Sequence, residues 1–221
     1  MAGQFEQWWQ LQGAWVEEPN RRRCGESGVQ RLRQEDGRVY YAKRQIGHIY
    51  RSWLHPFGRP TVLRERKALL ALPECGVRVP KIVYCGTTRG EQGWRGLLVS
   101  EELQGFQDIE SWYAGGGRER IGPERHALLL QQIGAMLARM NQGRWQHGCL
   151  YAKHVFVRVG EAESEVALLD LEKSRRRWTS RGAARHDLRQ LRRHSSWSEA
   201  EWQLLLQGYR RQWGKALPAL D

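Results

Sequence analysis

The residues best suited to chemistry lie in HGCLYAKHV, which runs from His147 to Val155. A polar His-Gly opens the stretch, and His154 follows Cys149 by five positions. An apolar run then leads to Ala-Leu-Leu-Asp-Leu-Glu, with its aspartate at Asp170 and its end at Glu172. This is the order of a phosphoryl-transfer loop and its metal-binding aspartate, written H-R-D-x-x-x-x-N and then D-F-G. His147 takes the place of the first histidine, where it reads as a structural prop. Cys149 stands where that pattern has its catalytic aspartate. His154 replaces the asparagine, and an imidazole nitrogen is a candidate metal ligand, although Mg²⁺ prefers oxygen. It could instead position a phosphate or a water. Asp170 closes an apolar strand, a setting suited to holding Mg²⁺ beside a triphosphate. A capping or salt-bridged aspartate is the alternative. Glu172 either adds a ligand or pairs with the arginines after it.

Cys149 decides how much chemistry survives. A free thiol has a pKa near 8.5 and is mostly protonated at neutral pH, so it is a poor proton acceptor for a hydroxyl. Phosphoryl transfer, however, depends mainly on positioning and charge neutralisation. Loss of the base slows the reaction without necessarily abolishing it. A nucleophilic cysteine is a third reading, but no His-Asp constellation supports it.

A second group lies upstream. Lys43 sits late in the strand-like VYYAKRQ, where it can meet nucleotide phosphates, and Glu65 on the following helical stretch can pair with it. Without the downstream motif, each would read as a solvated charge. Gly25 and Gly28, in CGESGVQRL, allow backbone N–H groups to approach phosphate, although an ordinary hairpin turn explains them as well.

The elements that must carry these residues can be read from pattern. The segment up to about Asn20 reads as an amphipathic helical lead-in. Ser27–Leu32 and Arg38–Arg44 read as strands around a Glu35-Asp36-Gly37 turn. Thr61 is placed to cap a helix over Val62–Leu72, ahead of Pro73. Val79–Cys85 and Gly96–Glu102 read as further strands. A hinge at Glu101–Gly105 follows, and Glu101 is a cofactor-binding candidate. Asp108–Tyr113 begins a helix, Gly115–Gly117 marks a loop, and Pro123–Asn141 is strongly helical, with Leu128, Ile133, Leu137 and Met140 among its apolar residues. Two short strands, Val155–Val159 and Val166–Leu169, precede a basic helical tail from Ser180, with a second cap at Ser196–Glu199. The expected organisation is a β-rich lobe over residues 1–103 and a helical lobe over 104–221.

Composition sets the outer limits. The 221 residues can bury a real core, and 40 % hydrophobic with 27 % charged residues is ordinary for a globular chain. The net charge of +12 attracts phosphates in any form. No zinc-finger spacing, basic-heptad region or aromatic RNA-binding strand accompanies it, so nucleic acid is not the expected partner. Cys24, Cys75, Cys85 and Cys149 show no metal-ligand spacing and no disulfide framework. The start lacks the charged and apolar regions of a secretory signal, and no apolar run is long enough to span a membrane. A reducing cytoplasm is expected. The eleven tryptophans read as core filler or as groove and interface residues; with the charge, they allow peripheral membrane contact.

Taken together, YYAKRQ, RPTVLRERKALLAL, GVRVPKIVYCG, LLVSEELQGF, HGCLYAKHVFVR and LLDLEKSR stand in an order that resembles the lipopolysaccharide kinase (Kdo kinase/WaaP-type) family, and within it the InaA-like branch. They cover roughly Gly25 to Arg177. The resemblance implies an α+β, two-lobed, protein-kinase-like fold. It implies ATP and Mg²⁺, with Lys43 on the phosphates, Glu65 as its partner and Asp170 on the metal. It also implies a sugar hydroxyl of the lipopolysaccharide core, or another anionic glycolipid, as acceptor at the cytoplasmic face of the inner membrane. WaaP-type members carry aspartate at the position of Cys149, whereas the InaA-like branch shares the cysteine. The alternative is therefore a pseudokinase that binds a nucleotide or a partner in envelope or stress responses.

Overall fold

The computed structural model describes residues 3–22, 25–53, 55–91 and 93–214. Cys24 lies outside them. The chain divides into two compact units: Met1–Leu69 with Pro80–Glu102, and Leu70–Val79 with Leu103–Asp221. The segment Leu70–Val79, placed in the first lobe by the sequence, groups with the second unit.

The first unit begins with α1 (Gln4–Gln10) and β1 (Ala14–Arg22). The helical lead-in is thus shorter than expected, because Ala14-Trp15-Val16 pairs with β2 (Gly25–Arg33) as an edge strand. Pro19 is tolerated at an edge, where its missing N–H breaks no ladder. With β3 (Val39–Ile46), β6 (Ile82–Gly90) and β7 (Gly93–Glu101), these strands form a sheet ordered β1-β2-β3-β7-β6. A separate hairpin, β4 (Ile49–Ser52) and β5 (His55–Pro60), precedes α2 (Thr61–Ala71) and was not anticipated.

Strand periodicity explains what each face of β3 does. Tyr40, Ala42 and Arg44 face α1. Tyr40 and Ala42 join Leu32, Leu97 and Val99 in a core packed against Phe5, Trp8, Trp9 and Tyr84. Arg44 donates to the carbonyls of Trp9 (2.6 Å) and Leu11 and to Gln30 Oε1 (2.7 Å). It therefore ties the C-terminal end of α1 to the sheet. The opposite face holds Lys43 and Gln45, toward α2. Thr61 does not cap α2 with its own hydroxyl. Gln45 Oε1 accepts both the Thr61 hydroxyl (2.7 Å) and the Val62 N–H (3.2 Å).

The second unit is mainly helical. After β8 (Gln107–Asp108), α3 (Ile109–Ala114) is capped by Asp108, whose carboxylate accepts the Ser111 N–H. Next, α4 (Gly117–Gln142) starts earlier than expected, with a break at Gly122 before Pro123. It buries Leu129, Leu130, Ile133 and Leu137, while Leu128 faces outward. β9 (Trp145–Gln146), β10 (Val155–Val159), β11 (Ser164–Leu168) and β12 (Arg175–Arg176) follow, forming the sheets β11-β10-β8 and β12-β9. α5 (Ser180–Arg193) and α6 (Glu199–Trp213) complete the unit. Ser198 and Glu201 form a reciprocal capping box on α6. Glycine lets α4 and α6 approach closely: a Cβ at Gly134 would strike the Leu205 carbonyl, and one at Gly208 the Gln131 carbonyl.

Candidate active site

In the first unit, Lys43 and Glu65 come together. Buried positions Thr61, Val62, Glu65, Ala68 and Leu69 form one face of α2, and Glu65 is its only acidic member. Its Oε2 lies 2.8 Å from Lys43 Nζ, and both side chains are largely buried. The helix carboxylate thus fixes a buried cation on the face of the sheet. Gly25 and Gly28 lie in paired strand. A Cβ at Gly28 would meet Trp15 and the backbone of Glu17, and one at Gly25 the backbone of Gly47 and His48. Close packing therefore accounts for both glycines. Glu101 ends β7, its N–H bonded to Lys81 O (2.8 Å) and its carboxylate 3.4 Å from Lys81 Nζ.

In the second unit, His147, Cys149, His154 and Asp170 converge. Asp170 adopts the left-handed backbone region (φ 55°, ψ 59°). For a non-glycine residue this costs roughly 1–2 kcal/mol and persists only when its neighbours enforce it. Here the two histidines do so through Leu169. His147 Nε2 donates to the Leu169 carbonyl (2.9 Å), and the Leu169 N–H donates to the His154 carbonyl (3.0 Å). The two rings stack 5.5 Å apart, 8° from parallel.

The tautomer of His154 follows from its partners. Nδ1 must carry a hydrogen because it donates to the Cys149 carbonyl (2.7 Å). Burial is the main cause pushing the imidazole pKa down, to about 4, against the pull of Asp170. The ring is neutral, and the Nε2 lone pair faces Asp170 Oδ2 at 3.5 Å. Two acceptors so placed favour a cation between or beside them. Among the described residues, no cluster of three or more His, Cys, Asp or Glu is arranged to hold a metal. The protein can thus offer two ligands. Mg²⁺ usually takes one or two carboxylates and completes its shell with phosphate oxygens and water, so Asp170 suits it and the His154 nitrogen is the less ordinary ligand.

Cys149 is buried, and Lys173 Nζ donates to its Sγ at 3.7 Å. Sequence reasoning missed both this lysine and the group that holds the loop. That group is Asp187 on α5, fully buried. Its Oδ2 accepts the His147 N–H (2.8 Å) and Asn141 Nδ2 (3.0 Å), and its Oδ1 accepts the Gly148 N–H (3.2 Å). Gln190, one turn further on, accepts the Leu150 N–H (3.1 Å). The only signal for Asp187 was an isolated acid in the basic run RHDLRQLRR.

A basic groove of about 550 Å³ lies beside this loop, lined by Arg177, Arg185, His186, Arg189, Arg193 and His194 among others. The ring of His194 sits 4.5 Å from that of Tyr151, within the loop.

The fold sets a Lys43–Glu65 pair on the sheet of the first unit and Asp170 beside His154 in the second, and the sequence comparison names the class. The chain belongs to the lipopolysaccharide kinase (Kdo/WaaP) family, whose sequence model matches residues 6–209. It is 40 % identical over 201 residues to Protein InaA of Escherichia coli (strain K12), covering 90 % of this chain and 92 % of that protein. Among solved structures, it is similar to WaaP in complex with acyl carrier protein, with TM-score 0.68, 22 % identity and coverage of 96 % of this chain and 88 % of that one. It is also similar to WbdD crystallised with the kinase inhibitor LY294002, with TM-score 0.51, 16 % identity and coverage of 93 % and 46 %. The kinase-like fold expected from the sequence is the fold of these two structures.

Proposed function

We propose that this chain is an ATP- and Mg²⁺-dependent phosphotransferase whose acceptor is a sugar hydroxyl of the lipopolysaccharide core or a related anionic glycolipid, at the cytoplasmic face of the inner membrane. The observation that carries this reading is the Asp170 clamp. A strained Asp170 backbone, enforced through Leu169 by two loop histidines, with its carboxylate facing a neutral imidazole lone pair, is costly as scaffold and useful as a metal site. In this reading Lys43 binds the nucleotide phosphates and Glu65 fixes its position. Asp170 and His154 hold the metal, which when bound would neutralise charge on the phosphates. Glu101 serves the nucleotide at the end of β7. The packing of Gly25 and Gly28 gives no support to their phosphate role. The arginine-lined groove beside the loop suits the negative groups of a phosphorylated or carboxylated acceptor.

Cys149 favours a second reading, a nucleotide-binding pseudokinase. Its thiol is buried and cannot replace a carboxylate as proton acceptor. We favour retained, slower transfer, because positioning and charge neutralisation carry most of the reaction. Calorimetric titration with ATP, with and without Mg²⁺, tests the site. Wild type should bind in a Mg²⁺-dependent way, Asp170→Ala should lose the metal dependence, and Lys43→Ala should bind about tenfold more weakly or worse. No binding by the folded wild type, or binding indifferent to both changes, overturns the assignment.

A further inference from the structure

The hairpin β4–β5 stands apart from the five-stranded sheet. Its base is braced: Arg64 lies 4.8 Å over the Tyr50 ring, and Ile49 fills the space beside Gly58 where any larger residue would need a Cβ. Its tip is the opposite. Ser52 pairs with His55, and Trp53 lies just beyond that pair at the turn. Trp53 is 102 % exposed and Phe57 is 91 % exposed. Single exposed apolar residues are common, but two large aromatics on one short hairpin, Trp53 at the turn and Phe57 within β5, both contributing nothing to the core, call for a function.

The charge around them selects the partner. From Ile49 to Arg64 the chain contains no Asp or Glu and three Arg, whereas Arg38 and Lys43 just upstream are paired with Asp36 and Glu65. The hairpin itself carries Arg51 and Arg59, together with His55. Tryptophan prefers the headgroup level of a bilayer, phenylalanine the acyl boundary, and arginine the phosphate layer. An acid-free basic hairpin that exposes tryptophan and phenylalanine is complementary to an anionic lipid surface.

We propose that the Ile49–Pro60 hairpin is a membrane-docking element that inserts Trp53 and Phe57 into the interface of an anionic bilayer, with Arg51 and Arg59 on its phosphates. This does not rest on the phosphotransfer reading, since vesicle binding needs neither nucleotide nor acceptor. The test is flotation of the full chain with vesicles of phosphatidylcholine alone or mixed with phosphatidylglycerol. The Trp53→Ser/Phe57→Ser variant should retain the wild-type fold, because both side chains are exposed, and circular dichroism checks this.

Wild type should float with the anionic vesicles, and the aromatic variant should partition about tenfold more weakly or worse. An Arg51→Gln/Arg59→Gln variant should lose most of the preference for the anionic vesicles. ATP titrations of the same variants should match wild type, which separates this proposal from the nucleotide site. Failure of wild type to bind anionic vesicles overturns the proposal. So does an aromatic variant that binds as wild type does, the result expected if the whole basic surface adheres or if the tip meets a protein.

Discussion

Asp187 allows the architecture of the catalytic-loop region to be tested through a residue that touches no ligand. The perturbation is Asp187→Asn, which keeps the shape and removes the charge. The carboxylate accepts from the N–H groups of His147 and Gly148 and from Asn141 Nδ2. Tyr209 extends the network, its hydroxyl donating to Asn141 Oδ1 at 2.9 Å. An amide has one acceptor oxygen, so either orientation turns its NH₂ toward at least one of these donors. The less costly orientation points the NH₂ at Gly148, whose bond at 3.2 Å is longer than those from His147 and Asn141, and toward His186 Nδ1, 3.3 Å from the same oxygen, which can accept from the NH₂. One charge-assisted bond is then lost and two become neutral. Bonds to charged groups contribute about 1.5–3 kcal/mol and neutral ones about 1, so the gross loss is about 2.5–7 kcal/mol. Relief of carboxylate desolvation offsets part of this, leaving about 2–4 kcal/mol. Urea unfolding followed by tryptophan fluorescence should show a midpoint lower by about 1 M. Hydrogen exchange at the His147 and Gly148 amides should accelerate more than exchange in α4 and α6 away from Asn141. A midpoint change worth less than about 0.5 kcal/mol, with unchanged protection of the two loop amides, would refute the reasoning.

Four further outcomes follow from particular contacts. Arg44→Met should release α1 from the sheet and cost about 2–3 kcal/mol, because the guanidinium holds two backbone carbonyls and Gln30; limited proteolysis should then cut first near Gln10–Gly13. Gly134→Ala should force α4 and α6 apart and lower stability by about 1–3 kcal/mol in thermal unfolding. His126 accepts the Tyr113 hydroxyl at 2.8 Å, and burial, then Arg118, lowers its pKa. Its contribution is therefore fully present above about pH 6.5 and is lost as pH falls below that value; His126→Gln should flatten this part of the stability–pH curve. Cys149→Asp should raise phosphate transfer, measured as turnover at saturating ATP, if the loop keeps kinase-like geometry; lower turnover in an active enzyme would assign the thiol a role of its own.

What the sequence made legible was local. The alternation in VYYAKRQ marked a strand, and the following helix carried Glu65, so the Lys43–Glu65 pair could be expected. The ion pair at 2.8 Å joins residues only 22 positions apart. The apolar run before Asp170 likewise marked a strand, which ends at Leu168 rather than at Asp170, and the expected cap at Ser196–Glu199 falls at the start of α6, where Ser198 caps with Glu201. What escaped depends on distant partners. β1 looked helical because its Trp and Val become strand residues only through pairing with β2. The cap of α2 comes from Gln45, sixteen positions before Thr61. Asp187 lies forty positions beyond His147, and nothing in a run of arginines shows that its one acid turns inward. The hairpin escaped for another reason: a tryptophan such as Trp53 reads equally as core filler or as a groove or interface residue until its exposure is known.

The central claim is phosphate transfer, and the most direct measurement is incorporation of label from γ-labelled ATP into purified lipopolysaccharide core glycolipid. Wild-type protein and Mg²⁺ should transfer label to the glycolipid, with mass spectrometry showing the gain of one phosphoryl group on a sugar. Asp170→Ala should abolish the transfer. A folded wild type that binds Mg²⁺ and ATP yet labels neither the core glycolipid nor any related anionic glycan would contradict the account and leave the pseudokinase reading in its place.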